Sequence, residues 1–342
     1  MDLKQMIYLL FVCLFIFAGN VFAADNDSDV EPLPIGREEI EATEKAVILE
    51  EEKSLIEYTV NVDIPDIPES LNIYKAQQLL NETLPDTPSD NIAKAFDFVG
   101  AKKRTNKKNG YVKSTMYVDQ NNRSIEYFSS GAVFYINEEL FSEKGDDLLI
   151  SQGIPSKSAA KQTFATQAKK FIDDKGLSKA NRYLRDVTFA TAETFDVASK
   201  RVVSKKIIGA AVHYTHAIDG IKTYGPGSKT SVFYGNNGNV SGYYDAMRNL
   251  FKDRSVTVKS PEKAIEQYKA DGKPKSRLRS YPMKVKEIII DDIELVYYFD
   301  AGSVRQDEIR PNYLISGRFI GVDGSGGIVN STFEWLEDAV GE

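Results

Sequence analysis

From Leu71 onward, runs of β-branched and aromatic residues end repeatedly at Gly, Asn and Asp clusters. This punctuation restricts the chain to strands joined by tight turns, broken only where a 3.6-residue apolar period takes over. Three helical patterns do so. Asp90 is a candidate N-cap for a helix with Ile92, Ala93, Phe96 and Val99 on one face, ending at Gly100. A second helix is predicted from about Ser156 to Lys175, with Ala160, Phe164, Ala168, Phe171 and Ile172 on one face and Gly176 at its C-terminal stop. Ser260-Pro261-Glu262 opens a third, with Ala264, Ile265 and Tyr268 apolar and Asp271-Gly272 as the stop.

Strands are expected after each helix. The first group is Tyr111–Val118, Ser124–Phe128 and Ala132–Ile136, preceded by a basic loop at Lys102–Gly110. The second is Val187–Phe195, Lys206–Ile218, Lys229–Tyr234 and Val240–Tyr244, and Gly235-Asn-Asn-Gly-Asn239 joins the last two as a hairpin loop. The third is Lys284–Ile290, Glu294–Phe299, Tyr313–Ile320 and Gly327–Phe333. Strand runs interleaved with single helices predict an α+β fold of tandem units, each a helix packed on an antiparallel sheet. The expected units are 71–145, 146–255 and 256–342.

Ahead of them, Met6–Ala18 is apolar and uncharged, and Val21 and Ala23 occupy the −3 and −1 positions of a small-residue cleavage site. Residues 1–23 therefore read as an export signal, too short to span a membrane. Cys13, the chain's one cysteine, lies within it, so a mature chain without disulfides must hold together by core packing. An exported chain of this size without disulfides points to a bacterium. Residues 24–57 hold twelve acids against Arg37, Lys45 and Lys53, a balance of −9. The whole chain carries −7 and the signal is neutral, so residues 58–342 net +2. The acidity belongs to a leader, read as a solvated linker over 24–70. Without clustered positive charge beyond one loop, nucleic acid is excluded as the main partner.

Val212–Lys229, containing Asp219-Gly220 and Gly225-Pro-Gly227, runs into Thr230–Gly242; Ser260–Ile265, Tyr297-Tyr-Phe-Asp-Ala301, Ile309-Arg-Pro-Asn-Tyr313 and Ile315-Ser-Gly317 follow. Together these resemble bacterial extracytoplasmic proteins built from PepSY-like units, including the YycI type of envelope regulator. Leu71–Lys75 and Ser130–Tyr135 are similar to the opening pieces of the same proteins, so the resemblance spans about residues 71–335. It implies PepSY-like units, an envelope setting and a role in inhibition, regulation or binding, and it implies no catalytic residue.

Residue types weigh against chemistry as well. His213 and His216 are the two histidines; three apart on a strand, they point to opposite faces, one inward and one outward, and do not converge on a metal. Gly225-Pro-Gly227 and Gly321–Gly327 read as hairpin turns rather than phosphate cradles, because Pro226 removes a donor and no Lys-Ser/Thr pair follows the second. Asp245 and Asp291-Asp292 could pair as carboxylates, but the latter reads as a solvated turn between strands. No catalytic residue, metal ligand or cofactor is assigned. Aromatics on strands remain, and Tyr224, Tyr243, Tyr244 and Trp335 form the candidate binding surface. The expectation is a non-enzymatic envelope protein that contacts a protein or peptide partner through sheet surfaces, with no membrane span after signal cleavage. Carbohydrate binding through surface aromatics and a hydrolase with clustered carboxylates are the alternatives.

Overall fold

A computed structural model describes residues 56–77, 84, 88, 90–99, 102–108, 111–140, 146–177, 181–196, 201–271 and 283–341. Strands dominate. In chain order they are β1 (Glu57–Val60), β2 (Ser70–Ala76), β3 (Lys102–Lys108), β4 (Tyr111–Val118), β5 (Arg123–Phe128), β6 (Val133–Asn137), β7 (Arg182–Asp196), β8 (Arg201–Ile218), β9 (Ile221–Tyr224) and β10 (Lys229–Tyr234). β11 (Val240–Asp245), β12 (Leu250–Thr257), β13 (Met283–Tyr298), β14 (Glu308–Ile309), β15 (Pro311–Asp323) and β16 (Ile328–Asp338) complete them. The helices are α1 (Asn91–Ala95), α2 (Leu148–Ser151), α3 (Lys157–Asp174) and α4 (Pro261–Asp271). The expected export signal, with Cys13, lies outside the described residues, as does the expected linker up to residue 55; β1 lies in what the sequence reads as linker.

The chain forms two compact units, each discontinuous in sequence. The first gathers Tyr74–Lys252 and Tyr298–Ile309; the second gathers the described parts of Ala23–Ile73, Asp253–Tyr297 and Arg310–Glu342.

The first unit is built on an antiparallel sheet in the order β9–β8–β10–β11–β6–β5–β4–β3, with β7 paired to β8. β14 adds to β2, with Ile309 opposite Tyr74. This arrangement overturns the tandem α+β expectation. β6 pairs with β11, Tyr135 lying opposite Tyr243, so the strands after α1 and those after α3 join in one sheet. Their core is also shared: Ile92 from α1 and Phe96 at its C-terminal cap, Leu148 from α2 and Phe164 and Ile172 from α3 pack with Tyr117, Tyr135, Val212 and Tyr243. The physical reason is area. α1 has five residues and cannot cover a sheet alone, so its side chains share one core with those of the eighteen-residue α3. The boundary expected at 145/146 falls inside this unit.

α3 forms as its pattern predicts. Ser156 Oγ accepts from Ala159 N at 3.2 Å, and Ala160, Phe164, Ala168 and Ile172 are all fully buried. Phe164 lies 4.9 Å from the Tyr234 ring, and burying a side chain of that size contributes about 2 kcal/mol. Lys102–Lys108, expected as a loop, is the edge strand β3. Its lysines disfavour pairing with another copy of itself.

The second unit pairs β16–β15–β13 antiparallel and adds β1 in parallel to β13, Tyr58 opposite Ile288. Its sheet is therefore mixed. α4 covers it: Tyr268 stacks on Phe333 at 5.7 Å, and Phe333 on Phe319 at 4.5 Å. Asp291 and Asp292, expected in a turn, lie within the continuous β13, where the register slips between Ile290 and Asp292. That bulge lets a charged pair interrupt an apolar strand without ending it. Asp291 accepts two bonds from Arg318 of β15, at 2.8 and 3.0 Å.

Candidate functional site

Side chains alternate across a strand, so the sheet of the first unit has two distinct faces. On one, Ala210, Val212 and Tyr214 of β8, Val232 and Tyr234 of β10 and Tyr243 of β11 meet the helices. On the other, successive strand pairs set Asp186, His213, Ser231, Tyr244, Phe134 and Glu126 directly opposite one another. The row runs from β7 through β8, β10, β11 and β6 to β5. Buried side chains of α1, α2 and α3 all enter the first face, which leaves this row on the helix-free side of the unit.

The row has a polar end and an aromatic end. At the polar end His213 is 8% exposed, its Nδ1 is 2.8 Å from Ser231 Oγ, and its Nε2 is 3.1 Å from Thr188 Oγ1. Burial pulls its pKa down from 6.5 to about 4; Asp186 opposes the shift, while Lys229 and Arg185 add to it. The imidazole is neutral at pH 7. Lys229 is also lowered, first by burial and then by Arg185. Asp186 Oδ1 is buried and has no hydrogen-bond partner among the described residues.

At the aromatic end Phe134 stands edge-on to Phe233 at 6.3 Å and to Tyr244 at 5.9 Å. His213 stands edge-on to Phe233 at 6.4 Å and so ties the two ends together. Phe134 and Tyr244 are partly buried, and Phe233 beside them is buried. Burial pushes the Tyr244 phenol up to about 12, so it stays protonated. Its hydroxyl sits where the chain at Gly302 passes so closely that a Cβ there would lie 2.6 Å from it.

The four aromatics expected to form a binding surface separate. Tyr243 is fully buried on the helix face, where its hydroxyl donates to Leu177 O at 3.2 Å; it is core and not surface. Its neighbour Tyr244 points the other way and joins the row. Tyr224 lies beside Tyr298 at 6.4 Å, tilted by 37°. Trp335 is in the second unit, half-buried on β16 opposite Ile315, with Nε1 donating to Glu337 at 3.3 Å. Phe134, Phe233 and Thr188 were not foreseen. Alternation says that one of Tyr243 and Tyr244 faces the core, but which one depends on where α3 packs.

Both histidines are buried, which corrects the expectation of one outward ring. β8 is covered on both faces where they stand. His216 is 2% exposed, and its Nε2 is 2.9 Å from Thr230 Oγ1, which donates to Asp245 at 3.2 Å. The order His–Thr–Asp resembles a hydrolytic constellation, but Thr230 is 3% exposed and Asp245 1%, so no substrate carbonyl reaches the hydroxyl. Asp245 also accepts from Met247 N at 3.1 Å, which fixes the chain leaving β11. Among the described residues no three His, Cys, Asp or Glu side chains group as metal ligands, and no helix is long and apolar enough to cross a membrane.

Gly225-Pro-Gly227 turns between β9 and β10 as expected, and the structure supplies the reason for its glycines. Gly225 has φ +100°, and a Cβ on Gly227 would lie 1.8 Å from Asp300 O. The facing segment is held by Arg248, whose Nη2 donates to Asp300 O, Ala301 O and Val304 O at 3.0, 3.2 and 3.0 Å.

No known family matches the chain, and no curated protein does. Among solved structures, an uncharacterized protein from Eubacterium rectale aligns over 82% of this chain and 87% of its own, at 10% identity and a TM-score of 0.42.

Proposed function

We propose that the chain is an exported, non-enzymatic binding protein of the bacterial envelope that takes a protein or peptide partner on the aromatic row of its first unit. The observation that carries this reading is the partly buried, edge-to-face pair of Phe134 and Tyr244 on a helix-free sheet face. Rings held by a sheet lose little freedom on binding and provide the buried aromatic contacts that dominate interfaces. The export signal read in residues 1–23 and the resemblance to envelope regulators supply the setting.

Selection of a displayed peptide library on the immobilised protein tests it. The selected peptides should bind Phe134→Ala about thirty-fold more weakly, as expected when an interface aromatic worth about 2 kcal/mol is truncated. Equal binding to both proteins, or binding to a glycan array and to no peptide, would refute the reading. So would peptide hydrolysis that disappears in Asp245→Asn.

A further inference from the structure

A second surface of the first unit adjoins the polar end of this row, with Asp186 common to both. α3 and the start of β7 enclose a groove of about 940 Å³. On the helix side Lys161, Ala165, Lys169 and Asp173 follow one another every fourth residue along one stripe. At 1.5 Å rise per residue that wall is about 18 Å long. The other wall is Asn181, Arg182 and Leu184–Val187, and the Tyr214 ring also lines the groove, with the Arg182 guanidinium over it at 5.7 Å.

Three observations converge on one kind of occupant. First, among the described residues β7 pairs with β8 alone, so its other edge presents main-chain donors and acceptors beside the groove. Second, Lys161, Lys169, Arg182 and Arg185 outnumber the two acids lining it. Asp173 is engaged by both Lys169 and Arg182, and Asp186 lies opposite His213 in the row described above. Arg185 stands in the register slip between Leu184 and Asp186 and is exposed. Third, 18 Å matches about five residues of extended chain. Leu184, 52% exposed, and Ala165 offer apolar contacts between the charges.

We propose that this groove takes an extended acidic peptide, which adds as a strand to the free edge of β7 and sets its carboxylates against Lys161 and Arg185. A strand edge recognises a peptide by main-chain hydrogen bonds, while alternate side chains select the sequence. A sulfated glycan satisfies the cations but leaves the edge unpaired.

The test is fluorescence anisotropy of the full chain with a labelled Glu-Val-Glu-Val-Glu-Val peptide. Comparison probes are the Lys-for-Glu peptide, the acidic peptide N-methylated at alternate residues, and a chondroitin sulfate hexasaccharide. The acidic peptide should bind, more weakly as salt rises, and its affinity should fall about ten-fold or more in Lys161→Glu/Arg185→Glu and on N-methylation. Both substituted side chains are exposed, so an unchanged thermal midpoint confirms that the variant is folded. Absence of acidic-peptide binding, equal binding of the basic peptide or unchanged affinity in the double variant would overturn the proposal. So would indifference to N-methylation, or binding of the glycan alone.

Discussion

Acidification should weaken the fold through His213, and the size of the effect follows from its surroundings. The side chain is 8% exposed and hydrogen-bonded at both ring nitrogens to Ser231 and Thr188. Burial holds its pKa at about 4, against 6.5 for an exposed histidine, with Asp186 opposing the shift and Lys229 and Arg185 reinforcing it. Below pH 6.5 the unfolded chain takes up a proton that the folded protein refuses until about pH 4. Stability therefore falls as pH falls through that window, by about 1.4 kcal/mol per pH unit, or about 3 kcal/mol over the whole of it. Many carboxylates titrate at the lower end, so the informative quantity is the difference between wild type and His213→Asn. Urea unfolding at pH 7.0, 6.0, 5.0 and 4.5 reads it. At pH 7 wild type should be the more stable, and its advantage should shrink steadily towards pH 4.5. Parallel stability curves would show that His213 is not held neutral, and the polar end of the row would then need another electrostatic account.

Three further substitutions probe the packing that positions the row. Phe164→Ala empties the contact between α3 and Tyr234 and should cost about 4 kcal/mol in chemical denaturation; a loss below about 1 kcal/mol would mean that α3 does not seal this core. Gly227→Ala drives a methyl into Asp300 O and should lower stability by about 2 kcal/mol or more, whereas Gly324→Ala, with open space around it, should be nearly neutral. Arg248→Met removes the donor to three carbonyls and should cost about 3 kcal/mol, with faster amide exchange across residues 298–309.

Local structure could be read from residue types because local rules determine it. The apolar spacing of Ala160, Phe164, Ala168 and Ile172, capped by Ser156, marks α3 to within a residue at each end. The boundaries of β4 and β10 follow in the same way from their turns. Topology could not be read, because the β6–β11 pairing joins residues about a hundred positions apart and leaves no local trace. Asp291-Asp292 misled for a related reason: a bulge inside a strand and a turn between strands look alike until the partner strand, with Arg318, is placed. Lys102–Lys108 looked like a loop because charge density is a poor guide at an edge strand, where lysines are the means of keeping the edge unpaired. At the candidate site, Tyr244 was identified by residue type, while its partners Phe134 and Phe233 needed the register. Tyr243 had the same residue-level credentials and lies in the core.

Photo-crosslinking from the row tests the binding account most directly. A benzoylphenylalanine at position 134 should capture a peptide selected on the wild-type protein, and the same group at position 335, on β16 of the second unit, should not. Capture from position 335 alone, or from neither position while the peptide remains bound, would contradict the assignment of the partner to the aromatic row.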